Sequence, residues 1–477
     1  MTSGMVSPDA ALLLDQCLND TPVRAISAAF ARHGQEVYLV GGAIRDCLLG
    51  RRSTELDFAT SALPATTLEI ARQEHLGAPY RVGEKYGTIG IRQEPWTFEI
   101  TTYRSAERYE PGSRKPRVRF GGSIAEDLLR RDFTINAIAL DPKDGRVVDP
   151  VGGMADLRAG VIRAVGYARD RFEEDPLRLL RAVRFATRLG FALDPDTRRA
   201  LADTGDWLAA VSRERIRDEI GAILIDDRAP AGLTLLRDTG LLGQAVPLLT
   251  ELTRMPDHGP RHPLSLWDHT MRVVARVPSR LAVRWAALLH DIGKPRTRTH
   301  EPSGRPRFFH HEEVGAKTAR AVLEGLRYPR QFVDSVVLLV ETHMQLHAYS
   351  DEWSDGAVRR LMIRLGDHIE DALTLARADA AGHTASGRSQ NAVRFDAFER
   401  RMAALDRAQV AALRSPLSGF DLMQRYQDPP GPWIGEIKNV LEDAVLEGRL
   451  APDDVEGAWR IADEVRLASG VPPAHPG

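Results

Sequence analysis

One short stretch constrains this chain more than any other: Leu39-Val-Gly-Gly-Ala-Ile-Arg-Asp-Cys-Leu-Leu-Gly-Arg51, followed by Glu55-Leu-Asp57-Phe-Ala-Thr60. Val37-Tyr-Leu-Val40 reads as a short buried strand. Gly41 and Gly42 let the backbone turn tightly and present its N–H groups. Ala43 to Leu49 then reads as one or two helical turns, whose N-terminus favours an anion. Arg45 adds a fixed positive fork for a phosphate. Glu55 and Asp57 lie two apart in a segment that reads as a strand, so both carboxylates point to one face, roughly 7 Å apart at the backbone. Two carboxylates beside a phosphate cradle can hold two Mg²⁺ ions about 4 Å apart for in-line phosphoryl transfer. A lone Gly-Gly or a lone acid-x-acid on a strand is weak evidence; the two together, in this order, are specific.

The chain has 477 residues, enough for several cores. Its 43% hydrophobic and 27% charged residues are those of a globular protein. No apolar run is long enough to span a membrane, and no secretory signal is visible, so the cytoplasm is the expected compartment. Cys17 and Cys47 make neither a disulfide framework nor a thiolate metal site. A net charge of −2 argues against a uniformly basic nucleic-acid binder but leaves room for a local basic surface.

Residues 1–20 read as a flexible leader, and 21–152 mix strand and helix signals. Candidate strands there are Glu36–Val40, Leu56–Ala59, Gly87–Arg92, Trp96–Thr102 and Ala137–Leu140. The charged, Gly/Pro-containing segment 105–117 reads as a mobile loop. From Asp170 onward the pattern is almost wholly helical, broken near Pro256–Pro263, Pro302–Pro306 and Pro429–Pro432, and 471–477 reads as disordered.

Three further motifs carry chemistry. In Glu126-Asp-Leu-Leu-Arg-Arg131-Asp132-Phe-Thr-Ile-Asn136, Arg130 and Arg131 can reach triphosphate oxygens as planar donors. Asp132 can orient an Arg or a ribose hydroxyl, and Asn136 can bond a sugar or base. Glu99 alternates out of a strand, as a third acid (metal ligand or general base) or as a plain surface carboxylate. In Glu174-Asp175-Pro176-Leu-Arg178-Leu-Leu-Arg181-Ala-Val-Arg184-Phe-Ala-Thr-Arg188, Pro176 fits an early helical position with Asp175 as a cap or first-turn acid. The arginines then fall three, three and four apart on one helix face. Read alone, such a stripe is a solvated basic face. Beginning with an acid pair, it suits base recognition, Asp175 accepting from an exocyclic amine and Arg178 donating to a ring nitrogen or carbonyl.

These motifs, in this order over roughly residues 25 to 240, resemble the class II nucleotidyltransferases, the superfamily of tRNA CCA-adding enzymes and bacterial poly(A) polymerases. One departure stands out: the family usually has Asp-x-Asp, and here Glu55 takes the first place, its extra methylene moving the ligand oxygen. The resemblance implies an α+β chain, with a polymerase-β-like mixed sheet and helices at 21–152, a helical neck at 153–245 and helices beyond. It implies Mg²⁺ on Glu55 and Asp57, a triphosphate held by Gly41, Gly42, Arg45 and Arg131, with Asp132 and Asn136 beside it. It further implies base selection of CTP and then ATP by Glu174, Asp175 and Arg178, with Arg181 and Arg184 binding the nucleotide. The segment around Thr97–Arg104 is similar to the CCA-adding branch, and Ser212-Arg-Glu-Arg-Ile216 to its neck helix. The implied partners are tRNA, through its acceptor arm and 3′ end, CTP and ATP, with no DNA and no membrane.

A second constellation follows: His262-Pro-Leu-Ser-Leu-Trp-Asp-His269, then His290-Asp291-Ile-Gly-Lys294, His311, His343 and Asp379. Imidazoles and carboxylates on successive helices can converge on one or two divalent metals. The order resembles the HD superfamily of metal-dependent phosphohydrolases, which implies His269, His290, Asp291 and Asp379 as primary ligands of a divalent ion of unknown identity. His311 and His343 are then candidates for a second metal or for substrate phosphate, and Lys294 for a phosphate. The resemblance assigns 246–400 to this domain and 401–477 to a helical tail. The function implied is CCA addition to tRNA without a nucleic-acid template, with the HD domain a candidate phosphohydrolase on RNA 3′ ends. Other readings share these residues: an A-adding enzyme or a poly(A) polymerase, an HD phosphohydrolase with its head degraded to an RNA-binding module, and an inactive RNA-binding protein.

Overall fold

A computed structural model describes residues 10–19, 22–109, 116–255, 264–302, 306–381, 385–405 and 415–468. The chain forms two compact units, Met1–Thr250 with Val322–Pro329, and Glu251–Ala321 with Arg330–Gly477.

The first unit is built on a seven-stranded sheet. Its strands are β1 (Val37–Val40), β2 (Glu55–Thr60), β3 (Ala78–Gly83), β4 (Thr88–Gln93), β5 (Trp96–Thr102), β8 (Ala139–Leu140) and β9 (Val147–Val148). Their spatial order is β3-β4-β5-β2-β1-β8-β9. Strands β2 and β5 run parallel and the other pairs antiparallel, so the sheet is mixed, as expected. Strand β1 is apolar at every position because both its faces are buried. Leu56, Phe58, Phe98 and Ile100 fill one side of the sheet and put Asp57 and Glu99, by alternation, on the other. The parallel register sets Asp57 beside Glu99.

Helix α3 (Gly41–Leu48) starts directly from β1, with Val40 as its extended N-cap residue. Gly41, at φ 68°, makes the tight turn out of β1 that the sequence suggests, directly at the start of the helix. Helix α1 (Ala10–Asn19) occupies half of the expected flexible leader, with α2 (Val23–Arg32) after it and α4 (Pro64–Gln73) between β2 and β3. Helix α1 rests on α3, where the Cys47 thiol donates to the Leu13 carbonyl at 3.2 Å. The expected loop at 105–117 is instead a hairpin of β6 (Arg104–Tyr109) and β7 (Pro116–Phe120), with its 110–115 connection outside the described residues. Sequence reasoning also passed over β3, whose Pro79 and Gly83 weaken the strand signal.

Helix α5 (Ile124–Leu129) is capped by Ser123, which accepts from the Glu126 N–H. Helix α6 (Gly153–Ala159) follows β9. The Arg stripe corrects one expectation. Helix α7 (Ala168–Glu174) ends at the acid pair, and α8 (Arg178–Leu189) begins after a turn at Asp175–Leu177. Asp175 accepts from the Leu177 N–H within that turn. Leu179, Leu180, Ala182, Val183 and Ala186 bury the other face of α8, which packs on α10 (Arg213–Leu224) and α11 (Ala229–Asp238). Between these lies α9 (Pro195–Asp203). Gly190 ends α8 in the left-handed conformation at φ 73°.

Among its described residues the second unit is helical apart from one small hairpin, Arg298–His300 with Pro306–Phe308. Helices Leu266–Arg276, Leu281–Leu289, His311–Gly325, Arg330–Ala348 and Ile369–Ala380 carry its polar cluster. Leu281–Leu289 is buried on nearly all sides, with Trp285 fully covered. Truncating Trp285 to Ala is expected to cost about 3–5 kcal/mol. Helices Gly419–Tyr426, Pro432–Leu446 and Val455–Ala468 share a separate apolar cluster around Leu422, Leu441 and Ala462. Residues 471–477 lie outside the described residues. No helix among the described residues is long and apolar enough to cross a membrane.

Candidate functional site

A cleft of about 470 Å³ opens on the polar side of the first unit's sheet. Asp57 and Glu99 line it from β2 and β5, Gly41, Gly42 and Arg45 from α3, and Arg178, Arg181 and Arg188 from α8. The Gly42 N–H donates to the Asp57 carboxylate. Gly41 has φ 68°, and a Cβ there would meet the Arg131 guanidinium at 3.1 Å and Asp57 Oδ2 at 3.5 Å. A side chain at this position would thus be both strained and in the way.

The acids fit a cation. Burial pushes the Asp57 carboxyl up, and Glu55 pushes it further, against the pull of Arg131 and Arg45. Burial, then Asp57 and Glu55, push Glu99 up as well. Two carboxylates raised by burial and by acidic neighbours suit a site that receives divalent charge. Glu55 sits exposed at the start of β2, on the same strand face as Asp57 and outside the cleft wall itself.

The basic side is held by its own acids. Asp127 accepts from Arg130 Nη2 at 2.6 Å and Arg131 Nη2 at 2.9 Å, and also from the Arg104 N–H at 3.1 Å. Burial opposes its charge, but Arg131 and Arg130 outweigh that and hold the carboxyl down at about 2. Asp132 Oδ2 accepts from Arg181 Nε at 2.8 Å, and its Oδ1 from Asn136 Nδ2 at 3.0 Å. Despite full burial, Arg181 and Asn136 keep it well below the usual carboxylate range. Asn136 Oδ1 in turn accepts from Arg45 Nη1 at 2.6 Å. Arg45, only 3% exposed, also donates to Asp46 at 2.9 Å. A continuous chain of bonds thus runs Arg45–Asn136–Asp132–Arg181, from α3 to α8.

Asp175 and Arg178 line the far end. Arg215 Nη2 donates to Asp175 Oδ2 at 2.7 Å. Arg178 donates to Glu174 at 3.0 Å and to the Arg171 and Arg130 carbonyls at 3.2 Å each. Both are therefore rigid. Glu174 lies behind this pair, bridging Arg171 and Arg178, and does not line the cleft. Arg184 turns away to Glu219, Nε to Oε2 2.6 Å, and is likewise outside the lining.

In the second unit His269, His290, Asp291, His311, His343 and Asp379 are all buried and meet. His269 Nε2 is 3.2 Å from His290 Nε2, 3.4 Å from Asp291 Oδ2 and 3.1 Å from Asp379 Oδ1. His311 Nε2 is 3.2 Å from His343 Nε2 and 3.3 Å from Asp291 Oδ1. Asp291 thus joins two groups, His269–His290–Asp291 and Asp291–His311–His343.

The ring orientations fit metals. His290, His311 and His343 each place Nδ1 on a carbonyl, of Ala287 at 2.9 Å, Phe308 at 2.8 Å and Val340 at 2.6 Å. A carbonyl requires Nδ1–H, which leaves each Nε2 facing the centre as the atom that can meet a metal. The Nε2 atoms of His311 and His343 lie 3.2 Å apart, close enough to share one cation. Burial, then His290, pushes His343 down to about 3, so it is neutral and able to ligate. Against burial, Asp291 and Asp379 raise His269 to about 9. Lys294, expected to meet a phosphate, instead reaches Asp291 Oδ2 at 2.6 Å.

The Poly A polymerase head domain matches residues 37–163, the "Probable RNA and SrmB-binding site of polymerase A" matches 190–252, and the HD domain matches 261–381. The chain is 34% identical over 463 residues to the CC-adding tRNA nucleotidyltransferase of Thermus thermophilus, covering 93% of this chain and 97% of the relative. It is 43% identical over 421 residues to the CCA-adding enzyme of Geobacillus kaustophilus, covering 88% and 91%. The chain belongs to the CCA-adding family of tRNA nucleotidyltransferases. The crystal structure of the Bacillus stearothermophilus CCA-adding enzyme in complex with CTP superposes with a TM-score of 0.66 at 28% identity, covering 94% of this chain and 98% of that one.

This nucleotidyltransferase thus brings Gly41, Gly42, Arg45, Asp57, Glu99, Arg131, Asp132, Asn136, Asp175, Arg178 and Arg181 into one cleft, and leaves Glu55, Glu174 and Arg184 at or behind its walls. Sequence reasoning gave no role to Asp127, Arg215, Glu219 or His347. Asp127 falls three and four residues before Arg130 and Arg131, the helical spacing that pairs such residues, which was a usable signal. His347, 2.9 Å from Asp379 Oδ2, lies one helical turn after His343.

Proposed function

We propose that this nucleotidyltransferase completes tRNA 3′ ends, adding C, C and A from CTP and ATP with release of pyrophosphate and without a nucleic-acid template. One observation carries the reading: the carboxylates of β2 and β5 share a single cleft with a rigid Asp175–Arg178 pair. Catalysis and base recognition then act on one bound nucleotide. Asp57, Glu99 and Glu55 would hold Mg²⁺, which when bound neutralises triphosphate charge and favours ionisation of the attacking hydroxyl. The chain's own groups do the rest. Arg45 and Arg131 orient the phosphates. Asp175 Oδ1 and Arg178 offer an acceptor and donors to the Watson–Crick edge, a pattern that C and A can both meet. Glu99, raised by burial and by its acidic neighbours, is suited to take the proton of the tRNA 3′-hydroxyl as that oxygen attacks the α-phosphorus. The reading assigns the protein to the cytoplasm, where tRNA, CTP and ATP are found.

The test is extension of a tRNA transcript lacking its 3′ end, with Mg²⁺ and CTP, ATP or both. Two C residues from CTP alone, and one A more only with both nucleotides, is the expected result. Arrest after CC with both present, A added only to tRNA ending in CC, or a long A tail would each replace CCA addition with a narrower or different activity.

The HD cluster supports a second reading: a phosphohydrolase for RNA 3′-terminal phosphates. His269, His290, Asp291 and Asp379 would hold one divalent metal, and Asp291, His311 and His343 another, supplying an activated water. Metal analysis of the purified protein and assay with 2′,3′-cyclic and 2′-phosphates test it; a metal-free protein inert in both divalent ions and phosphates would refute it.

A further inference from the structure

Phe185 lines the nucleotide cleft, and the roles above do not use it. Three guanidiniums surround its ring: the Arg184 carbon lies 4.6 Å from the centroid, those of Arg45 and Arg181 5.3 Å each. Arg45 comes from α3 beside the phosphate cradle, and the other two from the base-reading helix α8. The ring is 5% exposed and meets Phe133 edge-on at 5.7 Å and 75°.

The bonded chain Arg45–Asn136–Asp132–Arg181 links two of these guanidiniums, and the third, Arg184, lies outside it. Arg45 is held by Asp46 and Asn136, Arg181 by Asp132, and Arg184 by Glu219 on α10. Three positive charges gathered in a largely buried corner repel one another. Phe185 is common to all three, and the negative face of a buried ring attracts each of them. Since α3 presents the phosphate donors and α8 the base-reading end, a shared aromatic anchor fixes the distance between the two halves of the nucleotide.

We propose that Phe185 is a positioning residue for nucleotide binding, its ring electrostatically anchoring Arg45 and the α8 arginines in one register. The proposal rests on the reading of this cleft as the nucleotide site, and not on which bases are added. It differs from plain core packing in one respect: the charge distribution of the ring matters as well as its shape.

The experiment replaces Phe185 with mono-, di- and trifluorophenylalanine, which keep the shape while draining the ring face of negative charge. CTP binding is measured by equilibrium dialysis in the full chain without tRNA, with melting temperature as the folding control. The expected Kd for CTP rises stepwise with each fluorine, by about tenfold at three, while melting shifts little. Phe185→Leu weakens binding at least as much, and Phe185→Trp, with its stronger ring face, restores it. A flat Kd across the fluorinated series, with the unsubstituted protein binding CTP normally, overturns the proposal and leaves Phe185 a packing residue. Failure of the unsubstituted protein to bind CTP would instead overturn the reading of the cleft itself.

Discussion

The two polar centres of this protein hold negative charge in opposite ways. In the first unit the acids sit on adjacent parallel strands at an open cleft, all their donor atoms are oxygens, and arginines crowd the opposite wall. In the second, imidazole nitrogens and carboxylates come from successive helices, all are buried, and backbone carbonyls fix the rings. Oxygen ligands at an open site suit Mg²⁺, which keeps its waters and arrives with a phosphate. A buried, pre-oriented N/O set suits a resident transition metal. The difference teaches that two polar centres on one chain can be built for different ends: on the proposed reading the first would be completed by its substrate, whereas the second gathers its N/O groups within the fold.

Asp57→Asn should sharpen this contrast most. On the proposed reading the cleft loses the most buried of its three metal-holding carboxylates, and nucleotide addition should fall by about a thousandfold or more in single-turnover extension. Metal content of the second unit should not change. Activity within tenfold of the original would break the assignment of Asp57.

The matching change on the other side is Asp291→Asn. It weakens a ligand common to both histidine groups, so bound metal by plasma mass spectrometry should drop, with affinity falling roughly a hundredfold or more. CTP addition by the same sample should stay at its original rate; a parallel loss of addition would show that the two centres are not independent.

Asp127→Asn tests how the basic wall is held. Removing one partner of a buried charge cluster should cost about 3 kcal/mol in denaturant unfolding and raise the KM for CTP. It also carries a pH signature. The folded carboxyl is held at about 2, below its ordinary 3.8. Its contribution is therefore fully present above about pH 4 and is lost as pH falls towards 2, an amount of about 2 kcal/mol. The acid limb of stability against pH should be shallower in Asp127→Asn; an unchanged limb would mean the ion pairs form equally in the unfolded chain.

Smallest of all should be Glu55→Asp. Glu55 is exposed at the start of β2, on the strand face it shares with Asp57, so extension rates should change by less than about fivefold, under 1 kcal/mol. A large gain would mark the natural Glu as a lesion in the head, and the comparison would tilt towards the second unit as the main activity.

Much of the site was legible because its chemistry is local. Gly41-Gly42, the alternation around Asp57 and Glu99, and the His290-Asp291 pair declare themselves by spacing, since helix and strand periods fix which side chains share a face. The misses were of two kinds. Helix boundaries at the acid pair depend on a turn whose Pro176 fits either a first helical turn or a break. The 105–117 segment looked like a loop because its Gly and Pro are turn-forming residues, which say nothing of the paired strands on either side.

The sequence by itself determined the kinds of group present and their order: the glycines, the carboxylates, the arginine ladder, the histidines. These follow from periodicity and side-chain chemistry, which are properties of neighbours along the chain. Only the tertiary structure decided which of them act together. It turned Glu174 and Arg184 out of the cleft and engaged Lys294 with Asp291. It also recruited Asp127, Arg215 and His347 as supports, and gathered three arginines on Phe185. Pairing across tens or hundreds of residues depends on how helices and strands pack, and a charged side chain brought out of water binds whichever partner that packing delivers.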